Sequence, residues 1–111
     1  MQPTIGRIVH YTLTQDDADA INVRRADFRA FEASHPHPHE PGQPRATGHI
    51  AHVGNWAEAG QTYPAMVVRT FSDETGSLAN LQVYLDGNDT FWVTSCAQGE
   101  GSGTWAWPPR V

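Results

Sequence analysis

The sequence has no lysine, a single cysteine and no long apolar run. Each absence removes a class of protein. Cys96 alone cannot close an intramolecular disulfide, and cysteine-rich zinc modules are excluded with it. No apolar stretch approaches the roughly 20 residues that a membrane-spanning helix needs. Residues 1–13 have polar residues throughout, and no apolar stretch of the kind a signal peptide carries is seen there. A soluble, intracellular protein is expected, and one lone thiol suits a reducing compartment. All seven basic residues are arginine, which we read as the coding bias of a GC-rich genome. The formal net charge of −5 repels phosphate backbones, so general nucleic-acid binding is not expected. Phosphate-binding glycine loops, dinucleotide fingerprints and nucleophile elbows are missing too. The expectation is therefore a chain that is not an enzyme and needs no cofactor.

What is present is β-patterned. With 111 residues the chain is expected to be a single domain, 1–111, with one core. Its organising stretch is a hairpin over 78–96. Leu81, Val83 and Leu85 alternate with Gln82 and Tyr84, the period of a half-buried strand. Asp86-Gly87-Asn88-Asp89 supplies turn residues, and Thr90-Phe91-Trp92-Val93-Thr94 is aromatic and β-branched. Further strands are expected over 6–13, 61–71 and 104–108. Thr14 is a good N-cap, with Asp16, Asp17 and Asp19 placed for the helix dipole. A helix over 15–33 follows, with Ala18, Ile21, Arg25, Phe28 and Phe31 on one stripe. His35-Pro36 ends it and opens a polyproline-like loop. Residues 46–59 give no clear signal. The fold class expected is mainly β with one inserted helix: a small five-stranded barrel carrying a helix and a Pro/His-rich loop at about 15–48.

Two resemblances extend this reading. Gly6-Arg7-Ile8-Val9-His10-Tyr11 is similar to the opening strand of SH3-like barrels of the Tudor and PWWP type. Tyr63-Pro64-Ala65-Met66-Val67-Val68 is similar to their second strand. That likeness implies an SH3-like architecture, which hosts many unrelated activities. The same Gly6–Tyr11 start, the Leu85-Asp86-Gly87-Asn88-Asp89 turn and the Gly103-Thr104-Trp105-Ala106-Trp107-Pro108 end together resemble a family of small proteins encoded by actinobacterial phages. This second likeness implies a phage or prophage origin.

Candidate binding residues come from the aromatics and the arginines. Trp92 lies opposite in phase to Phe91 and Val93. It faces either a stacking ligand or the inserted helix. Trp105 and Trp107 share a side, so both line the core or both meet a partner. Tyr63 completes the aromatic set. Arg69, Arg24 and Arg25 are the cations that an anionic ligand would require. Asp86, Asn88 and Asp89 are read as turn chemistry rather than as a carboxylate site. Cys96 is read as inert. His35, His37 and His39, with Glu40 beside them, have metal-binding side chains. Successive residues of a polyproline helix rotate by about a third of a turn, however, so alternate histidines do not share a face. A specific metal site is not expected there.

The function expected is thus a non-enzymatic, phage-derived binding module for a small molecule or a host protein. One form of it sequesters a nucleotide immune signal in the host cytoplasm as counter-defence. The alternative is a structural virion component, such as a capsid decoration or tail accessory protein. A homo-oligomer fits either. The loop reading is checked by melting the protein after purification without an affinity tag. The melting temperature should be the same with and without chelator, and a fall on chelation would give His35, His37 and His39 a structural metal.

Overall fold

The computed structural model describes residues 2–34, 52–72 and 76–110. The predicted hairpin is present as β3 (Ala79–Tyr84) and β4 (Thr90–Cys96). β2 (Thr62–Thr70) pairs with β3, and β1 (Ile8–Thr12) pairs with β2. Only Trp105–Ala106 forms the last strand, β5, on the outer side of β1. All neighbours are antiparallel and the order is β4-β3-β2-β1-β5. The protein is therefore mainly β, one five-stranded antiparallel sheet with one helix, as expected. The sheet does not close into a barrel. Among the described residues a single bridge, Gln98 to Trp105, is all that ties the chain beyond β4 to β5.

Local chemistry explains the strands. Val67 N–H donates to Arg7 O at 2.9 Å, so the odd residues of β2 turn their N–H groups toward β1. Pro64 accordingly has its nitrogen on the β3 side, and that ladder begins one residue later, at Ala65 opposite Val83. No donor is lost by having proline in an interior strand.

The inward positions form one core. Val9, Ala65, Val67, Leu81, Val83 and Trp105 are fully buried, with Tyr63, Phe91, Val93 and Trp107 packed at its margin. Over this face lies α1 (Gln15–Ser34). Thr14 Oγ1 accepts from Asp17 N–H at 3.0 Å, and Asp17 Oδ2 accepts from Thr14 N–H at 2.9 Å. This reciprocal capping box starts the helix. The Tyr11 hydroxyl also donates to Asp17, fastening the cap to β1. Ala18 and Ile21 enter the core, and Arg25 continues their stripe.

Arg25 is 3% exposed. Its Nη1 and Nη2 donate to the two oxygens of Asp89 at 3.0 and 3.1 Å. Nη1 also reaches His52 O at 3.1 Å, and Nε reaches Asn55 O at 3.2 Å. One guanidinium thus joins the helix, the turn between β3 and β4, and the segment over 52–57. That segment is strapped to the same turn by Asn88 N–H to Val53 O and Asn55 N–H to Asp86 O, both 2.8 Å. Gly54 and Gly87 meet backbone to backbone above the guanidinium. A Cβ on Gly54 would lie 2.6 Å from the Gly87 Cα and 2.8 Å from Arg25 Nη2, so only glycine fits.

Burial alone would raise the Asp89 pKa, but hydrogen bonds and charge from Arg25 and Arg24 outweigh it and hold the carboxyl below its ordinary value. A lowered carboxyl stabilises the fold above its unfolded value of about 4, and that stability is lost as pH falls through the folded value. Urea titrations should show the wild type losing stability below about pH 4, with Asp89→Asn losing less over the same range. Arg25→Ala should cost about 3–5 kcal/mol, the usual result of removing one partner of a buried pair. A cost under 1 kcal/mol would remove the clamp from the account.

Candidate binding face

The helix covers one side of the sheet and leaves the other open. On the open side the ladder places Ile8, Met66, Gln82 and Trp92 in one row. Beside it run Ala106, His10 and Pro64 on one half of the sheet, and Tyr84 and Thr90 on the other. Trp92 is 62% exposed, Ile8 43% and Tyr84 40%. The outward positions of Ile8–Thr12, of residues 62–66 and 82–84, and of residues 90–94 carry no Asp, Glu, Lys or Arg. An uncharged apolar face on a chain of net charge −5 is the kind of patch that marks an interaction site.

Of the residues singled out from the sequence, Trp92 lies on this face, at the sheet edge formed by β4. The inserted helix does not cover it, because the helix packs on the opposite side with Ala18 and Ile21 in the core. Trp105 is a core residue, fully buried, and its indole N–H donates to Ser77 O at 2.8 Å. It offers no stacking surface. Trp107 is half-buried and meets Trp105 edge to face at 5.3 Å, with the Arg7 guanidinium 5.2 Å from its ring. The two indoles therefore share the core side. Tyr63 is also inward, its hydroxyl donating to Gln61 at 2.9 Å.

The arginines part company in the same way. Arg25 is fully engaged within the fold. Arg24 donates to Asp89 at 3.0 Å and to Thr90 O at 2.9 Å, and its guanidinium lies 5.4 Å from the Phe91 ring. Neither is placed for an anionic ligand. Arg69 is exposed beyond the bulge in β2, 5.1 Å from the Phe71 ring. Phe71 lines a cleft of about 380 Å³ with Gln2, Pro3, Thr70, Ser72 and Gly76. Asp86 and Asn88 serve the turn and its strap, as expected. Asp89 does more than turn chemistry, since it receives both arginines. Cys96 is buried, and burial together with the charge of Asp17 pushes its thiol up to about 11. It stays protonated at neutral pH. His35, His37 and His39 lie outside the described residues, and no three metal-ligating side chains cluster among the described ones.

Ile8 and Met66 were not singled out from the sequence. The signal was available: Ile8 is out of phase with Val9, Met66 with Ala65 and Val67, and together with Tyr84 they put outward apolar side chains on three adjacent strands. No family model, no curated protein and no solved structure matches the chain.

The two tryptophan environments predict opposite behaviour. Trp105→Ala should cost about 3–5 kcal/mol, as large-to-small core changes do. Trp92→Ala should change stability by about 0.5 kcal/mol or less while reducing binding of a hydrophobic dye to the native protein. Equal costs by urea denaturation would show that Trp92 is a packing residue.

Proposed function

We propose that the protein is a non-enzymatic binding module that presents the open face of its sheet to another protein. The uncharged row of Ile8, Met66, Gln82 and Trp92 carries this reading. Exposed and free of fixed charge, it suits a protein surface better than an anionic small molecule, whose phosphates would require cations that Arg24 and Arg25 cannot offer. The strand order, with the Gln98–Trp105 bridge, supports taking the sheet as an SH3-like barrel left open. With the phage-like start and end of the chain, the partner is either a host protein met during infection or a neighbouring virion subunit.

Sequestration of a small host ligand, such as a nucleotide immune signal, is the second reading. The cleft beside Arg69 and Phe71 favours it, being large enough for a small molecule and next to an exposed cation.

A photo-crosslinking side chain in place of Tyr84 separates these readings. In host extract the first should yield one dominant protein adduct, identified by mass spectrometry and lost in Ile8→Asp. The protein's recovery from purified virions would assign the partner to the particle. Absence of any adduct, with calorimetric binding of a cyclic or linear nucleotide that Arg69→Ala weakens about tenfold, would hand the case to the small ligand.

A further inference from the structure

β4 is the edge of the sheet, and among the described residues no strand pairs with its outer side. Natural edge strands are commonly blunted with lysine, proline or an inward charge. This one, Thr-Phe-Trp-Val-Thr-Ser-Cys, has none of them, and its one irregularity, the register shift at Ser95 with φ 49°, lies beyond Thr94. The direction of its free groups follows from the turn. Leu85 N–H donates to Asp89 O at 3.3 Å, so Asp89, Phe91 and Val93 face β3, while Thr90 and Trp92 aim N–H and C=O outward. Arg24 confirms this parity by reaching Thr90 O from outside the ladder; that guanidinium must swing aside for a strand to add at Thr90, and Trp92 carries the open position of the edge.

The edge is complementary to itself. Read in either direction about Trp92, it runs Thr, aromatic or β-branched, Trp, β-branched or aromatic, Thr. In an antiparallel pairing centred on Trp92, Thr90 faces Thr94, Phe91 faces Val93 and Trp92 faces Trp92 of the second copy. Threonine with threonine, aromatic with β-branched and aromatic with aromatic are the cross-strand pairs that stabilise a sheet. A two-fold axis there brings no charged strand residue against its own copy, which matters for a chain of net charge −5. Phe91 and Val93 are only half-buried at the margin of the core, and the pairing would extend that core across the axis.

We propose that a second copy of this chain pairs with β4 about a two-fold axis at Trp92, joining two five-stranded sheets into one. This deepens the proposed function, because it sets the two open faces side by side with both Trp92 indoles at the junction. It does not depend on that face finding a partner.

Light scattering across a concentration series should show a species of twice the 12.2 kDa chain mass, and Trp92→Lys should weaken the association at least tenfold. Register is read by oxidation. Trp92→Cys should cross-link to itself, since hydrogen-bonded antiparallel partners lie about 5.5 Å apart at Cα. Thr90→Cys alone should not, because it faces Thr94. Ile8→Asp, on β1, should remain dimeric while losing the adduct expected of the open face, which separates failure of the edge from failure of the face. A monomer at every concentration, or equal cross-linking of Trp92→Cys and Thr90→Cys, would overturn the proposal, and a monomer would leave the edge to a strand of another protein.

Discussion

The Arg25–Asp89 pair is the contact on which the rest of the structure depends. A fully buried guanidinium is tolerable only when its donors are satisfied, and here both carboxylate oxygens and two carbonyls satisfy them. Three pieces of chain distant in sequence meet at that one group. The glycines that close over it, Gly54 and Gly87, are required because the backbones approach too closely for any Cβ. Without the clamp, α1 would be held to the sheet by Ala18, Ile21, its cap and the contacts of Arg24 with Thr90 and Phe91.

This clamp also decides which side of the sheet the helix covers. It ties the helix to the face that carries Val9, Leu81 and Val83, so the opposite face stays in water. That face is apolar enough to interact and too uncharged to be explained by solubility alone. The binding reading follows from how the arginines are spent. Arg24 and Arg25 neutralise Asp89 and brace the hairpin, which leaves the row of Ile8, Met66, Gln82 and Trp92 without a fixed charge of its own.

Much of the fold was legible because it is local. Alternation gave the phase of β1, β3 and β4, placing Val9 and Tyr11 together, and Trp92 opposite Phe91. The Thr14 N-cap, the acidic residues after it and the Ala18, Ile21, Arg25 spacing gave the helix and its buried stripe. The candidate site was less legible. Trp92 was singled out correctly as outward, but Trp105, Arg24 and Arg25 were grouped with it by side-chain type, and type does not say whether a residue faces solvent or core. The segment over 52–57 gave no pattern because it holds its place through Asn22, Asn55 and Arg25, contacts from elsewhere in the chain, and not through a period of its own.

By itself, then, the sequence determined the strands, their phases, the helix start and the uncharged composition of β3 and β4, all set by neighbours within a few residues. Only the tertiary structure decided which phase is covered, since both faces of the sheet carry apolar side chains and alternation treats them alike. It also decided that Arg25 reaches Asp89, 64 residues away, and that Trp105 closes the core from β5 instead of meeting a partner. These outcomes depend on long-range docking, where burial of one face, satisfaction of one buried charge and close approach of two glycines must all hold at once.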